Sequence, residues 1–500
     1  MHAAAVPRRR FTLHGACEPA LHHRLDPLAR LPDAHRLLTS GAACALRAPP
    51  AGGRTTHLLA LAERLAADGH PIVWLPCAAL DLDPADLTHA EHALLDRLRH
   101  AAERAPAELR PAGWRSGGPW QCLAVALDDW RRAIPRPPVV IVDDLDRLAR
   151  PVAGLLRAQL ATASVPVVIA GVDDPRGADP YRLGRGAPTL RVPAFDAAEV
   201  EALYRQHAEA TGQRFTPDAA QRAAAWSGGH PWLVTAIAQE IVEGLAVEGA
   251  VDARHVDRAA ARLLAAWPAW FEGLARALDR AAVARVLWPL LVGAVPEGPT
   301  VAADLDAAWA AGLVTADGAR AAGALPLAAA IRLAAAGLDR RLPLVGDCRR
   351  PDGGFDLPRA MSAFSSAWKS RGARIVAEHV RPDHAPVLAA ASLMNRLLPP
   401  GAGRWTAAFG LGHLALRIEL PLAARSRQRA ALIIKVRRPG EPQPLEDGLA
   451  AVDRALHGEA EGEGALILFD GRQPGTTLPG GARLAWEQSP AGREVVVVRG

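Results

Sequence analysis

Two aspartates, Asp143 and Asp144, follow directly on Val139-Val140-Ile141-Val142, with Asp146 beyond Leu145, and far upstream Gly52-Gly53-Arg54-Thr55-Thr56 opens a stretch of helical periodicity. Carboxylates at a strand tip hold a hydrated divalent cation or orient a water, and glycine-rich backbone ahead of a helix turns its N–H groups on an anion. The residue types therefore spell phosphate chemistry. In that reading Thr55 and Asp143 hold Mg2+, Asp144 is the candidate base, and the segment from Gly52 to Thr56 cradles the phosphates with the charge of Arg54 beside it.

Elements of matching period surround these residues. Four β-branched residues without polar alternation predict a strand buried on both faces, ending in acid where a parallel sheet places its ligands. A strand over 43–47 leads into the glycine loop, a helix over 56–68 ends at Gly69, and a strand over 71–75 completes a β-loop-α-β unit. Further on come a helix over 152–162 and a strand over 165–171, with Asp173 and Asp174 just beyond. Scored against G-x-x-x-x-G-K-[ST], the loop has Ala48 in place of the first glycine and Arg54 in place of the lysine, while Gly53 and Thr55 fit. Arginine keeps the charge but not the placement of a compact ammonium, and Asp144 is one methylene shorter than the usual glutamate. Slow hydrolysis, or none, follows.

From residue 192 the texture turns helical. Asp196 and Glu199 have capping-box spacing, a helix starts at Thr216-Pro217-Asp218, and Gly229-His230-Pro231 opens another over 233–245. Helices over 257–267, 271–278, 282–291 and 302–311 follow. A hairpin-like 312–318, turning at Asp317-Gly318, is expected to return as a strand over 324–327.

The glycine loop, the Asp-Asp strand, Val192-Pro193-Ala194-Phe195 and Gly228-Gly229-His230-Pro231-Trp232-Leu233-Val234, in this order, resemble the AAA-like ATPases of the STAND group; Phe11-Thr12-Leu13-His14-Gly15 is similar to their leader. The resemblance spans residues 10–340. It implies ATP and Mg2+ as ligands, a lid whose Gly229 and Pro231 approach the base, and a winged helix packed on the nucleotide site; that module could instead bind DNA, but its helices show no concentrated Arg face, which favours packing.

After a linker-like 346–354, helices over 357–370 and 385–398, strands over 415–420 and 431–436, a helix over 445–456 and a strand over 465–470 resemble a PD-(D/E)XK nuclease-like domain. The resemblance rests on this order, on Gly410-Leu411-Gly412, on Gly448-Leu449 and on Leu466-Ile467-Leu468-Phe469-Asp470-Gly471. Leu414, Ala415, Leu416 and Arg417 stand where its first metal ligand belongs, and its E-x-K reads Ile433-Ile434-Lys435. Two carboxylates are needed to hold the metal beside the water, so Lys435 is a vestigial nuclease lysine. Glu419 is a candidate substitute ligand, although a strand-end glutamate is more often surface, and Arg425, Arg427, Arg429, Arg437 and Arg438 with Lys435 could form a basic rim, for which a solvated loop is the better account.

Composition sets the frame. At 500 residues and 50% hydrophobic, the chain exceeds a single core. Its α/β reading is a P-loop NTPase core with a parallel sheet (36–190) after a leader (1–35), then a helical lid (191–250), a winged-helix-like domain (251–345) and a C-terminal α/β nuclease-like domain (346–500), inactive. Five scattered cysteines without a C-x-x-C pair argue for reduced thiols and no structural metal. His89 and His92 lack a third ligand and read as surface. No stretch suits a membrane or a signal peptide, so a cytoplasmic location is expected. Net charge is +5, with lysine at Lys369 and Lys435 alone, which permits nucleic-acid contact without indicating it. The expected role is a nucleotide-dependent switch or scaffold with a protein partner. The alternatives are a pseudoenzyme subunit that binds no nucleotide, and an ATP-driven DNA-processing or anti-phage defence effector.

Overall fold

The computed structural model describes residues 9–80, 86–111, 113–115, 121–171, 187–266, 269–338, 342, 348–379, 381–399, 401–422, 426–437, 441–469 and 483–500. Two compact units make up the chain, residues 1–195 with 202–212 and residues 196–201 with 213–500.

The first unit is a doubly wound parallel sheet. After the short helices α1 (Pro27–Arg30) and α2 (Pro32–Thr39), the chain runs β1 (Cys44–Arg47), α3 (Arg54–Ala67), β2 (Ile72–Pro76), α4 (Leu87–Arg104), α5 (Cys122–Ala133), β3 (Val139–Asp143), α6 (Arg150–Thr162), β4 (Val167–Ala170) and β5 (Thr189–Arg191). The strand order is β2-β3-β4-β1-β5, parallel throughout. Strand alternation sorts the core. Val139 and Ile141 join Leu58, Leu61 and Leu65 of α3, whereas Val140 and Val142 join Leu94 and Leu98 of α4, Leu127 and Trp130 of α5 and Leu156 of α6. Covered on both sides, β3 has no polar face to show. The chain progresses in one direction across the sheet from β2 to β4, and β5 lies on the far side of β1, so the loops after β1 and β3 open on the same carboxyl edge.

The leader carries local structure of its own. Asp26 caps α1 by accepting from Leu28 N–H at 2.9 Å, Pro27 presets its first turn, and α2 starts at Pro32. Residues 9–26 also lie along α7 (Ala197–Thr211): Gln206 donates to Arg24 O at 2.8 Å and accepts from Arg24 N–H at 3.0 Å. Phe11 and His23 pack on Tyr204 and His207 of the same helix.

In the second unit the capping box is present: Asp196 N–H reaches Glu199 Oε2 at 2.9 Å and Glu199 N–H reaches Asp196 Oδ1 at 2.7 Å. Six further helices are α8 (Pro217–Ser227), α9 (Pro231–Gln239), α10 (Ala253–Ala266), α11 (Ala269–Leu278), α12 (Ala281–Leu291) and α13 (Val301–Ala310). The 312–318 turn forms, with Gly318 at φ +69° and a Val314–Ala321 bridge, but the strand expected to return over 324–327 is instead the first turn of α14 (Ala324–Ala334). Proline is tolerated in a first helical turn, and the following Leu-Ala-Ala-Ala-Ile-Arg-Leu favours a helix, so local propensity overrides the hairpin pattern.

The rest of this unit is α15 (Leu357–Glu378), α16 (Ala385–Leu397), β6 (Gly403–Thr406), β7 (His413–Pro421), β8 (Arg427–Val436), α17 (Pro444–Ala455), β9 (Glu463–Phe469), β10 (Arg483–Gln488) and β11 (Glu494–Arg499), in a mixed sheet of order β10-β11-β9-β8-β7-β6. A half-buried ionic network fastens α8 and α10 to this sheet. Arg222 donates to both oxygens of Asp257 (3.0 and 2.7 Å) and to Glu419 Oε2 (2.5 Å), Arg404 donates to Glu419 Oε1 (2.5 Å), and Trp226 Nε1 donates to Asp257 Oδ1 (2.7 Å).

Candidate functional site

The β1–α3 loop is bent by two left-handed residues, Ala51 (φ +57°) and Gly53 (φ +87°). Glycine takes such a φ without strain, and at Gly52 an added Cβ would stand 2.8 Å from Pro49 O, so the tight turn requires its bare backbone. Gly52 N–H is spent inside the turn on Pro49 O at 2.9 Å. The helix then starts at Arg54, two residues earlier than its apolar period suggests, which makes the N–H groups of Arg54, Thr55 and Thr56 its first-turn donors with no intrahelical acceptor.

The two predicted halves of the site meet. Thr55 Oγ1 donates to Asp143 Oδ2 at 2.8 Å, and Asp144 N–H donates to Asp143 Oδ1 at 3.0 Å. Asp143 is 4% exposed, and burial pushes its carboxyl above the usual range despite the Thr55 hydrogen bond and the nearby Arg54 charge. Asp144 adopts a left-handed conformation (φ 54°, ψ 43°), which turns its carboxylate back on the loop. There it accepts from Arg54 Nη2 at 3.2 Å. Arg54 Nη1 is buried with no acceptor among the described residues. The candidate base is thus occupied by the residue in the lysine's place, while one face of that guanidinium still lacks an anion.

Three neighbours escaped the sequence reading. His57 Nδ1 lies 2.9 Å from Gly53 O, and burial lowers the imidazole's pKa, keeping it neutral behind the loop. Cys77 follows β2 where Pro76 registers with Asp143; burial first, then the charges of Asp143, Asp144 and Asp146, push its thiol up to about 12. Cys17 N–H donates to Thr56 Oγ1 at 3.1 Å, tying the leader to the first turn of α3. The i, i+4 spacing of Gly53 and His57 was a readable signal; for Cys17 and Cys77 none was present.

Gly229 and Pro231 lie in the second unit. Gly228 and Gly229 have φ of +62° and +74°, and Pro231 opens α9. The turn's architecture explains its glycines: a Cβ on Gly228 would fall 1.0 Å from Ala322 O. Lys435 is 2% exposed and paired with Glu441. Glu419 cannot serve it. On β7, Glu419 registers with Arg429 while His413 registers with Lys435 six residues away, about 20 Å along the strand, and Glu419 is bound into the Arg222–Arg404 network. Arg429 is neutralised by Glu459, which removes it from the basic rim. Asp173, Asp174, Arg425, Arg438, Asp470, Gly471 and most of the 346–354 linker's start lie outside the described residues. His89 and His92 are exposed on α4.

The site belongs to a mixed α/β protein with a parallel sheet, and the solved structures similar to it include ATPases. A Walker-type ATPase of Pyrococcus abyssi is 12% identical and aligns over 64% of this chain and 99% of its own, with a TM-score of 0.42. Cdc6p from Pyrobaculum aerophilum is 14% identical over 77% and 90%, with a TM-score of 0.36. The Thermotoga maritima RuvB Holliday junction branch migration motor is 14% identical over 47% of this chain and 65% of its own, with a TM-score of 0.29. No protein-family model and no curated protein matches the chain.

Proposed function

We propose that the chain binds ATP and acts as a nucleotide-dependent switch or scaffold with slow hydrolysis or none. What carries this reading is the 2.8 Å hydrogen bond from Thr55 to the buried Asp143 at the front of α3. It sets a hydroxyl and a carboxylate beside three amides that have no acceptor among the described residues. The phosphates settle on the amides of Arg54, Thr55 and Thr56, and Arg54 Nη1 gains its missing acceptor. Thr55 and Asp143 are the residues that would hold Mg2+, which supplies charge neutralisation at phosphate oxygens. Asp143 stays oriented by the Asp144 amide. Asp144, held by Arg54, leaves the attacking water without a base.

The finer parts of the proposal are a STAND-type helical lid around Gly229 and Pro231, a winged-helix-like domain, and a nuclease-like domain decayed at Leu414 to Arg417 and at Ile433. A cytoplasmic setting and a protein partner complete it. No helix among the described residues is long and apolar enough to cross a membrane.

The test is equilibrium binding of labelled ATP with and without Mg2+ to the full chain and to Arg54→Ala and Asp143→Ala variants. Wild type is expected to bind, with Asp143→Ala losing the Mg2+ dependence. Equal failure of all three to bind leaves the second reading, a pseudoenzyme subunit that kept the fold for its surfaces, which the Arg54–Asp144 ion pair inside the loop favours.

A further inference from the structure

Strand β10 is the last in the second sheet, and β11 is its single neighbour among the described residues. Its sequence Arg-Leu-Ala-Trp-Glu-Gln leaves Leu484 40% and Trp486 55% exposed, side by side on one face. An edge that shows large apolar side chains, with neither lysine nor proline to blunt it, is a template for another strand.

The direction of its free backbone groups follows from the ladder. Gly500 N–H donates to Leu468 O at 2.9 Å, while the Cα partner of Leu468 is Arg499. In a parallel pair the residues flanking a partner make the bonds, so Val498 and Gly500 face β9 and Arg499 faces β10. Arg499 stands opposite Arg483. Arg483, Ala485 and Glu487 therefore aim their peptide groups at β11, and Leu484, Trp486 and Gln488 aim theirs at the open edge.

We infer that β10 pairs antiparallel with β10 of a second copy of this chain about a two-fold axis at Ala485, joining two sheets into one across a homodimer. That register bonds Leu484 to the partner's Trp486 through their outward peptide groups, with both side chains on one face. On the opposite face it sets Arg483 against the partner's Glu487. Symmetry repeats each pair, giving two apolar and two opposite-charge cross-strand contacts. Centring on Leu484 or on Trp486 preserves the hydrogen-bond parity but sets Arg483 or Glu487 against Ala485. A half-residue shift opposes groups that point outward with groups that point inward. Glu487 also meets Arg499 of its own chain at 2.5 Å, so Arg483 has no acidic partner among the described residues, and the second copy supplies one.

Sedimentation of the full chain tests this. Wild type is expected to be dimeric at tens of micromolar, and Trp486→Lys monomeric. Arg483→Glu alone and Glu487→Arg alone are each expected to weaken self-association at least tenfold. An equimolar mixture of those two variants regains the dimer as a heterodimer, because each altered charge then faces its opposite, an outcome a misfolded chain does not give. A wild type that stays monomeric to about 100 µM overturns the inference. So does a dimer indifferent to Trp486→Lys, or a mixture no more associated than its components.

Discussion

Arg54 holds the balance at the site, because its guanidinium satisfies Asp144 while leaving Nη1 buried with no acceptor among the described residues. A lysine there is shorter and cannot fork between a carboxylate and a phosphate. Arg54→Lys is expected to release Asp144 and tighten ATP binding about tenfold, roughly 1.4 kcal/mol, in the same labelled-ATP titration; an unchanged or weaker affinity contradicts the latch. Asp143 makes a complementary case. Its raised pKa means that ionising it costs more in the folded than in the unfolded chain, a cost present above the folded pKa and absent below the unfolded one. Asp143→Asn is therefore expected to melt no lower than wild type without nucleotide at pH 7, while losing Mg2+-dependent binding. A drop in melting temperature argues that the carboxylate is there for stability. The turn into α3 was legible in Gly52 to Thr56, since glycine ahead of a helical period marks a loop-to-helix junction. The latch was not, because nothing local announces that Asp144 takes a left-handed φ and turns back on the loop.

At the level of elements, the leader and the glycine turns carry the testable claims. His23 is buried against Phe11 and His207; burial first, then the nearby charges of His207, Arg9 and His22, lowers its pKa to about 4. A depressed imidazole contributes stability that is whole above its unfolded pKa of about 6.5 and is lost as pH falls toward about 4. Limited proteolysis of residues 9–26 is expected to accelerate over that window, and a rate flat with pH removes the claim. In the second unit, Gly228→Ala meets both a left-handed φ and the Ala322 carbonyl, so a loss above about 4 kcal/mol is expected in urea unfolding. Gly249→Ala, at φ +80° with open space around it, is expected to lose only about 1–2 kcal/mol. Equal losses at the two positions would show that the close approach to Ala322 does not matter. Arg222→Met strips Asp257 and Glu419 of a shared half-buried partner while Arg404 still holds Glu419, and a cost of about 2–3 kcal/mol follows in the same assay.

For the whole chain, hydrophobic period outperformed motif. The buried strands announced themselves because four β-branched residues in a row fit little else, and the alternation of Val139 to Val142 between two cores is the physical reason. The helix at Ala324–Ala334 was misread because a hairpin turn and a proline imitate a returning strand. The fate of Glu419 depended on partners nearly two hundred positions away, which no local pattern encodes. On the same ground the full chain is expected to leave plasmid DNA intact with Mg2+ or Mn2+ in an agarose assay. Its β7 and β8 offer apolar residues where carboxylates are needed, and Lys435 is sealed against Glu441.

That sealed ammonium has a practical consequence. With Lys435 enclosed and Lys369 exposed on α15, amine-directed dyes meet a single reactive side chain besides the amino terminus. Once the α-amino group has been capped, a dye then goes to one side chain of the native polypeptide, on the helix that lies against β10 and β11, where proximity between two molecules would register as energy transfer.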